Sequence, residues 1–170
     1  MELGGAHVAA AAAALTVGTV VLVRRKGDAT HVAFGRVYLA AMVGVNAPVL
    51  FLYEATGRPG PFHLLAAVSV LTTAMGWVSL RGTRGRRRVE AHAALMTWSW
   101  VGVVTAGLAQ AANRQWPERS PWPVLAVVVS ATAVALVVVP RYVAHALDRR
   151  LRGGAGQLRS DAAPARAGCS

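Results

Sequence analysis

Five long apolar runs, separated by short polar segments, organise this chain. They are Leu3 to Val23, about Val37 to Tyr53, Phe62 to Leu80, Ala93 to Ala112 and Trp122 to Val139, and none contains Asp, Glu, Lys or Arg. Each holds about 17–21 residues, and a helix rising 1.5 Å per residue needs about 20 to cross the hydrocarbon core of a bilayer. The runs are too long for strands and do not alternate. In lipid only helices and closed barrels satisfy their own backbone, so the pattern predicts an all-α integral membrane helical bundle. The predicted helices cover about residues 3–23, 33–53, 62–80, 90–112 and 122–140, within one bundle over residues 1–152. The arrangement predicted is a four-helix core plus one. The first run has an Ala-rich, only modestly apolar centre, so the alternative is a four-helix core with a cleaved or loosely held first segment. The tail over residues 153–170 is small, polar and contains Pro, and is predicted to be a disordered basic tail.

Charge orients the helices. The chain carries 18 Lys and Arg against 7 Asp and Glu, a net charge of +11. On alternating spans, all but three of the basic residues fall on one side; Arg58, Arg114 and Arg119 are the exceptions. The positive-inside rule then puts the N-terminus outside and the C-terminus in the cytoplasm of a cell membrane. In a soluble protein such an excess would point to nucleic acid. Here the charge sits between apolar runs, so the partner it implies is the anionic headgroups of the bilayer and not nucleic acid. Arg24, Arg25 and Lys26 follow the first run and Glu2 precedes it, the reverse of a secretory leader, so that helix reads as retained.

Composition agrees. Apolar residues make up 55% and charged residues 15% of the chain, with a mean hydropathy of +0.44. The lone cysteine, Cys169, allows no disulfide within the chain. Tyr53, Phe62, Trp116 and Trp122 would mark one membrane boundary, and Phe34, Tyr38 and Tyr142 the other. Trp98 and Trp100 fall mid-span, where they would pack between helices or face lipid.

The candidate chemistry lies in the histidines. His31 and His92 fall at the cytoplasmic ends of the second and fourth helices. His92 and Met96 share one helix face by their i, i+4 spacing. Imidazole with thioether is a ligand set suited to copper or haem b iron. The immediate context favours a plainer reading. His31 precedes Arg36, which would snorkel to the headgroups, and His92 follows Arg86 to Arg88, so both rings sit at headgroup depth. There they would bond lipid phosphate, loop backbone or a neighbouring side chain. His7 and His63 fall near the other boundary. Asn46 and Pro48 lie inside the second helix. Pro48 removes one backbone donor and favours a kink, and the Asn46 amide needs a partner on another helix or in a substrate path. Ala40 with Gly44, and Gly102 with Ala106, are spaced for close helix contact. The sequence shows no nucleophile motif, phosphate loop, paired carboxylates or CxxC.

Lys26-Gly27, His31, Gly35-Arg36, Tyr38 and Met42 resemble the start of an uncharacterised bacterial membrane-protein family, domain of unknown function 2306. The resemblance continues with His63-Leu64-Leu65-Ala66 opening the third helix and with His92 and Met96 opening the fourth, and covers about residues 15–140. It implies a small helical membrane protein of unknown activity in which His31, His63 and His92 recur. The function expected is a non-enzymatic accessory or interaction role, through a membrane-protein partner or a second copy. The alternatives are a haem- or copper-binding redox protein using His31, His92 and Met96, and a small transporter centred on Asn46 and Pro48.

Overall fold

The computed structural model describes residues 3–51, 61–81, 85–115 and 122–162. Among these residues the chain forms five α-helices and no strand: α1 Leu3–Val23, α2 Ala29–Phe51, α3 Pro61–Val78, α4 Arg86–Gln115 and α5 Trp122–Ala162. By length and composition three segments can cross a membrane, Gly4–Val23, Ala29–Val49 and Trp122–Arg149; α3 contributes a shorter apolar stretch, His63–Val78. The candidate belt residues Tyr53 and Trp116 lie outside the described residues.

The α1–α2 turn follows from its sequence. Lys26 donates from Nζ to the Val21 carbonyl at 2.6 Å and to that of Leu22, satisfying two acceptors that the end of α1 leaves open. Gly27 has φ 91°, a left-handed backbone that glycine adopts without a Cβ clash. Asp28 then caps α2, its Oδ1 accepting from the His31 N–H at 2.6 Å. This cap explains why α2 starts at Ala29, about one turn before the start predicted at 33.

The helices run up and down. α1 packs on α2 and α4, and α3 also packs on α2 and α4, so α1 to α4 close a four-membered ring. α5 packs on α4 from outside the ring. The added helix is therefore α5, and the Ala-rich α1, for which a loose hold was the alternative, is a ring member. Its small side chains are the reason. Ala14 is fully buried, and Gly18 lies so close to Trp100 and Tyr38 that an added Cβ would come 2.9 Å from Tyr38 Cε2. Tyr38, Met42, Ala14 and Val103 fill the middle of the ring, with Met96 and Trp100 packed against them.

α4 touches three neighbours and is the least apolar helix over its whole length. The two facts belong together, because side chains shielded by protein need not match lipid. α4 also begins at Arg86, inside the basic segment expected to be a loop, and the exposed Arg86 and Glu90 pair at 2.9 Å across one turn. α5 continues through Pro140 to Ala162, past the end predicted near 140 and into the tail predicted to be disordered. Packing carries it across the proline: Val139 and Val143 form a cluster with Ala135, against Ala93, Ala94 and Trp98 of α4 and with Leu147 a turn further on. Residues 163–170 lie outside the described residues.

Candidate functional site

Most of the interfaces in the bundle carry a polar clamp. His7 Nδ1–H of α1 donates to the Val45 carbonyl of α2 at 3.0 Å. The Asn46 amide of α2 donates to Ser69 Oγ of α3 at 3.2 Å and to its own helix at Met42 O, 2.7 Å. His92 Nδ1–H of α4 donates to the Gly76 carbonyl of α3 at 2.7 Å. Trp100 Nε1–H of α4 donates to Leu15 O of α1 at 3.3 Å. Across the ring, the Tyr38 and Ser99 hydroxyls share a hydrogen bond of 2.9 Å, both residues being 2% exposed. Tyr142 of α5 reaches the Leu22 carbonyl of α1 at 2.6 Å. In each histidine the Nδ1 must carry the proton, because a carbonyl only accepts.

Tyr38 is thus a central residue and not the membrane-boundary marker that its position suggested. Its partner Ser99, and Gly18 and Gly76 which make room at two crossings, were not singled out by sequence. A readable signal existed. His31, Tyr38, Met42 and Asn46 form one stripe on α2, and His92, Met96, Ser99 and Val103 form one on α4, at spacings of three, four or seven.

The same pairing fixes the depth of the candidate ligands. α2 and α4 run parallel, His31 lies seven residues before Tyr38, and His92 lies seven before Ser99. Seven residues make two turns, so both histidines sit at one depth, roughly 10 Å from the Tyr38–Ser99 bond towards the basic end. The His92 ring is nevertheless turned to α3. Met96 lies beside it, its sulfur 2.8 Å from where a Cβ on Gly76 would fall. His63 opens α3 at the opposite end, 13 residues from Gly76 and so roughly 20 Å from His92 along that helix. The three histidines of the family pattern therefore do not meet. Among the described residues, no group of three or more His, Cys, Asp or Glu side chains is placed to hold a metal ion.

Asn46 is 5% exposed and ties α2 to α3, while Pro48, one turn beyond Gly44, cannot donate to the Gly44 carbonyl. Arg36 is exposed on α2. The small pair Ala40/Gly44 does mark a close approach, since a Cβ on Gly44 would sit 3.0 Å from Ala10 of α1; Gly102 faces open space.

Two clefts flank α5, and His31, His92 and Met96 line neither. One, of about 680 Å³, lies between the start of α4 and the far part of α5, with Arg86, Glu90 and Asp148 at its rim. The other, of about 600 Å³, runs between α4 and α5 and ends at Leu22 and Tyr142. Beside that end, the Lys26 ammonium stands 5.6 Å from the centre of the Tyr142 ring. Burial, and secondarily the positive charge of Arg149, lower the Lys26 pKa to about 8.

These features describe a small helical membrane protein whose polar groups join its helices. The chain belongs to the family described as predicted membrane proteins, DUF2306, which matches it over residues 5–144. No curated protein and no solved structure matches it.

Proposed function

We propose that the chain is a non-enzymatic accessory or interaction protein of the cell membrane, crossing it five times with the N-terminus outside and the C-terminus cytoplasmic. One observation carries this reading. His7, Tyr38, Asn46, His92 and Trp100 are engaged in clamps between helices, while α3 and α5 present apolar faces outward, such as Leu64, Leu71, Met75, Leu136 and Val137. Such faces suit a lateral membrane partner or a second copy. The test is site-directed photocrosslinking in native membranes from Leu64, Leu71 and Val137. One discrete adduct of fixed mass from one face is the expected result. Adducts with lipid alone from every position would sink the reading. An alkaline phosphatase fusion to the C-terminus should be inactive; activity would reverse the orientation.

A second reading rests on His92. With Nδ1–H donated to a backbone carbonyl, Nε2 is left as the acceptor, the arrangement that orients metal-bound imidazoles. His31, at the same depth, and Met96 would complete a haem b or copper site. An absorption spectrum, oxidised and then reduced with dithionite, separates the two. A Soret band shifting on reduction would replace the first reading, and a flat visible spectrum removes haem.

A further inference from the structure

The cleft between α4 and α5 combines three features. It is long: the α5 residues lining it run from Val127 to Tyr142, roughly 22 Å of helix, against a hydrocarbon core of ~30 Å. It is dry, its lining almost wholly apolar, with Trp100 and Val104 among the α4 residues and Val134 and Val138 among those of α5. Its Tyr142 end lies beside the Tyr142–Leu22 hydrogen bond, on the side of two basic residues. The Lys26 ammonium lies over the Tyr142 ring, and Arg149 follows Tyr142 by two turns on the same face of α5, roughly 10 Å along the helix. Two cations held together at the end of an apolar slot repel each other, and an anion between them relieves that repulsion.

We propose that this cleft binds one anionic glycerophospholipid, an acyl chain lying between α4 and α5 and the phosphate at Lys26 and Arg149. The chain fills the slot that α5 leaves against α4. The charge at the mouth selects the headgroup, and the apolar wall accepts the tail whatever the headgroup. The site goes beyond the interaction role proposed above and does not depend on it, because a lipid can occupy this cleft whether or not a protein docks on α3.

The test uses the full-length protein, purified and delipidated in detergent, with lipid retention read by native mass spectrometry. The probes are dioleoylphosphatidylglycerol and dioleoylphosphatidylcholine, added singly. One phosphatidylglycerol per chain is expected, retained about tenfold more strongly than phosphatidylcholine, as two basic groups near an anionic headgroup warrant. Arg149→Gln should reduce that preference, weakening phosphatidylglycerol more than phosphatidylcholine, whose choline already offsets the phosphate charge. Ala131→Trp, which fills the slot, should weaken both lipids. Circular dichroism reports whether each variant folds, and Ala131→Leu takes the tryptophan's place if it does not. Equal retention of the two lipids by the unaltered protein would overturn the proposal, as would a filled slot that binds phosphatidylglycerol undiminished.

Discussion

The ring of α1 to α4 and the added helix α5 are held by different forces. Inside the ring, clamps join α1 to α2, α2 to α3, α3 to α4 and α4 to α1, and Tyr38–Ser99 crosses the middle. α5 meets α4 through Ala135, Val139 and Val143, and Tyr142 supplies it with a polar clamp to Leu22 of α1. In lipid the distinction matters. Apolar contact between helices gains no hydrophobic free energy there, so close packing and hydrogen bonds decide which helices stay together. The ring has both, whereas α5 has packing along one face and a cleft of about 600 Å³ beside it. α5 packs on one neighbour where each ring helix packs on at least two, so it is the helix at which a lipid or a partner can enter, and the ring is the scaffold.

The comparison can be broken most strongly at Gly18. An added Cβ would strike Trp100 and Tyr38 together, so Gly18→Ala should destabilise the ring by about 2 kcal/mol, the usual cost of overpacking. Unfolding in detergent monitored by Trp fluorescence would show it, and an unchanged midpoint would mean that α1 is not seated in the ring. Next comes Tyr38→Phe, which removes the central bond and should cost about 1 kcal/mol, near the upper part of the range for bonds between membrane helices. Tyr142→Phe should cost about 0.6 kcal/mol and act locally, raising hydrogen exchange in α5 and leaving α1 to α4 unchanged. Exchange rising equally in all five helices would erase the distinction between ring and added helix.

The last effect is one of pH, kept small because Lys26 is half-exposed and solvent screens its charge. Lys26 has its pKa lowered from 10.5 to about 8 in the fold, so the unfolded chain binds more protons than the folded one between those values. Stability therefore rises with pH from about 8 to 10.5, and the gain is absent below 8. In detergent without anionic lipid, the thermal midpoint should follow that slope, and Lys26→Met should flatten it across this window. A midpoint falling over the same range in the unaltered protein, with Lys26→Met no different, would place Lys26 in water.

Much of this architecture could be read beforehand. The five apolar runs predict five helices because burial in lipid is a sum over residues close in sequence. Of the boundaries that moved, two did so for reasons of different kinds. Asp28 lengthens α2 through a local cap, which a closer reading of Gly27-Asp28 before the apolar run would have found. α5 passes Pro140 because Val143 and Tyr142 pack on elements far away in the chain, and no local signal announces that. Of the candidate residues, Asn46 was visible as a polar group in apolar surroundings, and His31 and His92 as imidazoles at the basic ends of two helices. Ser99 and Gly18 were not, since small residues in an Ala- and Gly-rich chain carry little contrast.

The amino-acid sequence alone determined that the chain is helical, apolar and strongly basic between its runs, and that it resembles the family to which it belongs. Those properties follow from composition and short-range periodicity. The tertiary structure decided that α1 is inside and α5 outside, and that Tyr38 meets Ser99 across 61 residues of chain. It also decided that His92 turns to Gly76 and that a cleft ends beside Lys26. Partner choice between helices depends on shape and hydrogen-bond geometry between distant residues, and several ring orders bury the same apolar stripes.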